Sequence, residues 1–134
     1  MLQSLAHQRG TAGDQEIEAG IAQVRQYIEA HGSSRFEAVW ESDTGPYRSI
    51  DRTSNRVGVR RRRDDGLWEH FVFAGQWGSE VAKGRDAPAL ARAMIERGLM
   101  LPGADGKSSV SMKVPGLGNS ARLYALTPAL LNGA

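Results

Sequence analysis

The chain has no cysteine, which removes disulfides, thiolate nucleophiles and cysteine-ligated zinc together and suits a reducing interior. It also has no long hydrophobic run: no stretch approaches the ~20 apolar residues that span a bilayer. The opening MLQSLAHQRGTAGD lacks the apolar core of an export signal. A cytoplasmic protein without membrane contact is the resulting expectation. Histidine is scarce: His7, His31 and His70 lie far apart, without the i, i+4 spacing of a metal-ligand pair. Ser33-Ser34 and Ser108-Ser109 fall in turn-like segments with no base paired to them in sequence. No catalytic residue, no metal site and no cofactor is assigned. Repeats and low-complexity segments are absent.

Acid is missing from one end. From Lys107 to Ala134 there are three basic residues and no acidic one, whereas the first 34 residues hold two arginines against four acids. The net charge of +2 is small, so any basic surface must come from placement and not from the total. Arg56 and Arg60 to Arg63 concentrate positive charge mid-chain.

The length of 134 residues fits one domain with a real core. A hydrophobic share of 40% with 24% charged residues is globular in composition, which argues against wholesale disorder. We expect a flexible N-terminal segment over 1–13, a folded domain over 14–127 and a flexible tail over 128–134. Ile17, Ile21, Val24 and Ile28 recur at helical spacing and predict a helix from Asp14, its N-cap, to His31, with Gly32 as a stop. Gly20 weakens its middle by about 1 kcal/mol relative to Ala. Phe36, Ala38 and Trp40 alternate as the buried face of a short strand, and Glu41 to Thr53, with Gly45-Pro46, reads as a surface loop.

The run NRVGVRRRRDDGLWEHFVF places an Asp-Gly turn between two β-prone segments, a hairpin signal. Val57, Val59 and Arg61 should face one way; Arg56, Arg60 and Arg62 the other. Its return strand carries apolar groups on both faces. His70, within that strand, reads as a partly buried core histidine. Gln76 to Lys83 is a short helix candidate. A further helix follows over Ala87 to Arg97, capped by Asp86, with Pro88 in its first turn, Leu90, Met94 and Ile95 on its buried face, and Gly98 at its end. Val110, Met112 and Val114 then alternate as a strand, Pro115, Gly116 and Gly118 turn the chain, and Leu123 and Ala125 return. The fold class expected is α+β and winged-helix-like: an N-terminal helix, an antiparallel β-hairpin, two short helices and a C-terminal β-hairpin wing.

Two glycine-rich words fail as nucleotide sites. Gly103-Ala104-Asp105-Gly106-Lys107-Ser108 has Leu101 where a phosphate-binding loop needs its first glycine, and a strand pattern follows in place of a helix. Gly116-Leu117-Gly118-Asn119-Ser120-Ala121 follows a strand, but the chain ends before a Rossmann unit could be completed.

Several words in order carry a family resemblance: Ile21-Ala22-Gln23-Val24-Arg25 with Ile28-Glu29-Ala30-His31-Gly32, Ser34-Arg35-Phe36, Asn55-Arg56-Val57-Gly58, Glu80-Val81 with Lys83-Gly84, Ala93 to Leu101, and Pro115-Gly116-Leu117-Gly118 with Arg122-Leu123-Tyr124. Over Thr11 to Thr127 the chain resembles the C-terminal region of helicase- or primase-like ATPases of phages and integrative elements, the family called domain of unknown function 927. The resemblance implies that the ATPase motifs lie upstream of this segment, so that this chain is not itself the enzyme.

In a winged helix the third helix enters the major groove and the wing touches backbone or minor groove. Such docking would recruit Arg60 and Arg62 from the hairpin, Arg85 and Arg92 from the third helix, and Lys107, Lys113 and Arg122 from the wing. The function expected is a non-catalytic DNA-binding accessory domain making nonspecific or structure-guided contact; the alternative is a protein-interaction module of the same replication protein. The partners expected are DNA and the upstream ATPase domain or other replication proteins. Because the Gly103 to Ser109 segment fails as a phosphate loop, millimolar ATP with magnesium should leave the melting temperature unchanged. A saturable upward shift would place a nucleotide site there.

Overall fold

The computed structural model describes residues 2–41, 47–48, 55–115 and 120–132. The helix signalled by Ile17, Ile21, Val24 and Ile28 forms α1, Leu2–His31. It begins well before Asp14, which lies inside the helix instead of capping it, so the 1–13 segment expected to be flexible is helical from Leu2. Extending an existing helix needs no new nucleus, and residues 2–9 are mostly good helix formers. Ile21, Val24 and Ile28 are buried and Ile17 packs against the same cluster. Gly20 has a role the pattern did not show. A Cβ there would lie 2.8 Å from Leu90 Cδ1, so its bare backbone lets α3, Ala87–Glu96, pack closely on α1. The lost helix propensity is offset by contact.

The strands are β1 (Phe36–Glu41), β2 (Tyr47–Arg48), β3 (Gly58–Arg62), β4 (Trp68–Phe73), β5 (Met100–Leu101), β6 (Val110–Lys113) and β7 (Ser120–Leu126). They form a mixed, curled sheet ordered β2-β1-β3-β4-β7-β5, with β6 also bonded to β7. β1 and β3 run parallel; the other pairs are antiparallel. The chain is thus α+β, an N-terminal helix and short helices around one sheet. Of the surface loop expected over Glu41 to Thr53, only Glu41 and β2 are among the described residues, and the turn expected at Gly116 and Gly118 lies outside them.

The Asp-Gly hairpin forms as expected between β3 and β4, with Gly66 at φ +86°. Its faces differ from simple alternation. Val57 joins the core under α1, while Val59 joins a second core with Val39, Phe71, Leu123 and Ala125. The chain switches faces at Gly58, where a Cβ would sit 1.8 Å from the Phe71 carbonyl oxygen. Only glycine permits that approach.

The C-terminal hairpin also forms, Val110 opposite Leu123 and Lys113 opposite Ser120. Its return strand is bonded on both sides, to β4 and to β5 and β6. The strand expected in a wing is therefore internal to the sheet. β5 and β6 are two pieces of one edge strand: β5 pairs with Ala125 and Leu126, β6 with Ser120 to Leu123, and the segment between bulges outward. That bulge holds the Gly103 to Ser109 word, closed by a bond from Gly103 N–H to the Lys107 carbonyl at 2.7 Å.

After β4, α2 (Ala74–Gln76) continues into a π-helical turn, Trp77–Val81, that buries Trp77 and Val81. Trp77 Nε1 donates to the Ala87 carbonyl, tying this turn to α3. The Asp86 carboxylate accepts from Ala89 N–H, the cap expected for α3. The tail expected to be flexible contains α4, Ala129–Asn132, with Leu130 1% exposed in the core and its carbonyl accepting from Arg25 Nε at 2.7 Å. A single well-placed leucine anchors it.

Ile21→Asp should abolish cooperative unfolding, because it puts a carboxylate where α1 meets the core. Leu130→Ala should cost about 2–5 kcal/mol in urea denaturation. Parent-like stability of that variant would return the segment to a peripheral tail.

Candidate nucleic-acid interface

At the end of the sheet where β3 turns into β4, four neighbouring strands carry positions in register. Arg62 on β3 registers with Trp68 on β4. Val39 on β1 registers with Arg61, so Trp40 and Arg62 are the next positions along those two strands. Arg48 on β2 registers with Trp40 in turn. The positions across the sheet read Arg48, Trp40, Arg62, Trp68. Trp40 is 44% exposed, and Arg62 is exposed with no hydrogen bond or ion pair to the described residues. An open groove of about 610 Å³ runs beside them, lined by Trp40, by Arg61 to Asp65 and by Glu69.

The arginine run divides by face and by partner. Arg61 is held by Glu69 at 2.7 Å and lies over the Phe71 ring. Arg63 pairs with Asp65 at 3.2 Å. Arg56, counted in the same basic cluster, is inside: it pairs with the fully buried Glu37 at 2.9 Å and donates to the Pro115 carbonyl at 2.7 Å. Arg60 and Arg62 share the other face, as the alternation predicts.

One row inward from Trp68, Arg60 lies with its guanidinium carbon 4.2 Å from the Trp68 ring centroid. Its Nε is shut off from solvent with no hydrogen-bond partner among the described residues. Beside it is a hollow of about 210 Å³, bordered by Leu67, Trp68, His70, Pro128 and Leu131. Leu67 and Leu131 are both exposed on its rim. His70 is buried against Phe36, edge to face. Burial first, then the Arg60 charge, lower its pKa to about 4 against the opposing effect of a backbone hydrogen bond with Gly32. The imidazole is therefore neutral at pH 7, as a core histidine should be.

The seven cations expected to form one surface occupy several places. Arg60 and Arg62 share the hairpin end. Lys113 and Arg122 lie on β6 and β7 at the opposite end, where Arg122 Nη1 donates to Ser109 Oγ. The register puts Arg122 about six residues from Arg62 along the strand direction, ~20 Å at ~3.3 Å per residue. Lys107 is on the edge-strand bulge. Arg92 is exposed on α3. Arg85 is engaged by α1, through Glu16 at 3.0 Å and Gln23 at 2.8 Å. Its charge docks one helix on another.

No family model, no curated protein and no solved structure matches this chain. Among the described residues there is no group of three or more acidic or histidine side chains able to hold a metal ion, and no helix is long and apolar enough to cross a membrane. Sequence reasoning missed Trp40, read there as a buried position, and did not join Trp68 to the arginines. The Asp-Gly turn did carry the second signal, since it fixes Arg62 opposite Trp68. The first required knowing that β1 lies parallel to β3.

His70 gives a pH test. Its folded-state pKa lies below the unfolded value of 6.5, so the unfolded chain binds the extra proton as pH falls between them. Stability is complete above about pH 6.5 and declines toward pH 4, by about 3 kcal/mol from this residue. In urea titrations from pH 7 to pH 4, His70→Gln should lose that share of the decline. An unchanged profile would mean that His70 is not the buried neutral group.

Proposed function

We propose that this chain is a non-catalytic DNA-binding domain that contacts phosphates with the hairpin end of its sheet. The observation that carries this function is the row of Trp40, Arg62 and Trp68 backed by Arg60: cations without acidic partners, interleaved with aromatic faces. Guanidinium groups pair with phosphate oxygens in a bidentate geometry, and aromatic side chains between them suit nucleic acid better than a point anion. Of the nearby carboxylates, Glu69 and Asp65 are engaged by Arg61 and Arg63, and Asp64 is the one acid in the groove that no arginine holds among the described residues. The contact is backbone-directed and sequence-tolerant. In the wider protein, the family resemblance makes this the accessory module of a mobile-element helicase- or primase-like ATPase, holding DNA beside the motor.

A winged-helix mode is the finer alternative within the same function. It would use α3 and the β6–β7 hairpin, with Arg92 and Lys113 as contacts. A protein-interaction module is the second reading, favoured by the exposed apolar side chains Trp40, Leu67 and Leu131 at the same end.

Fluorescence anisotropy with two unrelated DNA sequences across a salt series separates these. The parent should bind both about equally, with affinity falling log-linearly with salt. Arg62→Glu should weaken both and reduce the slope by ~0.9 on duplex DNA or ~0.7 on single strands. Arg92→Glu with Lys113→Glu should have little effect; loss of binding in that pair would favour the winged-helix mode. No parent binding at low salt would favour the protein-interaction reading.

A further inference from the structure

The hollow beside Arg60 says more about which nucleic acid fits. We infer, resting on the nucleic-acid function proposed above, that the occupant is single-stranded, with one unstacked base seated in this hollow against Trp68 and Arg60 while Arg62 follows the phosphates.

Four observations converge on this occupant. The Arg60 guanidinium borders the hollow with no hydrogen bond or ion pair to the described residues, and the edge of a base carries ring-nitrogen and carbonyl acceptors for its remaining N–H groups. Trp68 supplies a ring next to that donor, and stacking with an aromatic or a guanidinium plane is how single-stranded bases are commonly held. The rim carries the exposed apolar side chains Leu67 and Leu131 beside the uncharged amide of Asn132, which suits a base better than a phosphate. The inner wall adds no second charge, because His70 is neutral at pH 7.

A duplex cannot use this arrangement. Its bases are stacked inside, and it would present only phosphates and groove edges to a sheet end. The hollow, about 210 Å³ in volume, has room for one planar ring system and none for a base pair. It opens beside the Trp40 to Trp68 row, so a strand leaving it can continue along the exposed cations. The chemistry selects a neutral planar ring joined to an anionic backbone.

Three probes of matched length distinguish the possibilities by anisotropy at low salt: oligothymidine, the same backbone made abasic, and a duplex. Oligothymidine should bind roughly tenfold or more tightly than the abasic strand and the duplex, the gain expected of a stacked base. It should also quench tryptophan fluorescence. Leu131→Glu, an exposed rim change, should erase the difference between oligothymidine and the abasic strand, both measured on that variant, while leaving the circular dichroism spectrum unchanged. Equal binding of all three probes would overturn the base-in-hollow inference while leaving backbone binding intact, as would preference for the duplex or a neutral Leu131→Glu. Failure of all three to bind would remove the nucleic-acid function itself, and the inference with it.

Discussion

The ion pair between Arg56 and Glu37 holds the curled sheet together. Glu37 is wholly buried on β1 and Arg56 precedes β3, so the 2.9 Å contact fastens the parallel pair from inside. The same guanidinium reaches the Pro115 carbonyl just past β6 and lies over the Phe73 ring. One side chain therefore ties the edge strand back to the far side of the sheet, around the second core of Val39, Val59, Phe71 and Leu123. Desolvating two charges is expensive, and their attraction offsets it only with good geometry and further hydrogen bonds. Removing either partner would weaken the compensation of a charge held inside the protein, and breaking a buried pair in this way is typically destabilising. This arrangement converts an arginine that looks like surface charge into a structural clamp.

Given that clamp, the two faces of the sheet take different roles. One face is sealed by α1, α3 and α4 over the first core, and the other closes on itself around the second. The surface we propose for recognition is the end where β3 turns into β4. There the rigid hairpin fixes Arg62 opposite Trp68, and α4, anchored by Leu130, forms one wall of the hollow beside Arg60. Placing contacts on strands and an anchored helix lowers the ordering cost of binding. The cations elsewhere contribute differently: Arg85 and Arg97 pair with Glu16 and Glu18, fastening α3 to α1.

Much of this was legible along the chain because it depends on local periodicity and turn chemistry. The apolar stripe of α1, the Asp86 cap of α3, the Asp-Gly hairpin and the pairing of β6 with β7 each involve residues close in sequence, where spacing fixes geometry. The same locality showed that Arg60 and Arg62 share a face. It failed at Gly58, where one close backbone approach reverses the alternation, and at Gly20, where a helix-weakening residue proves to be a contact.

The sequence by itself determined the type and order of the main elements and the presence of a basic hairpin. Only the tertiary structure decided which arginines remain available. That choice depends on partners far away in the chain: Glu37 for Arg56, Glu16 for Arg85, and the parallel neighbour that brings Trp40 beside Arg62. A charge reads the same in sequence whether it is buried, paired or open. The field it meets is set by long-range packing, which no local pattern encodes.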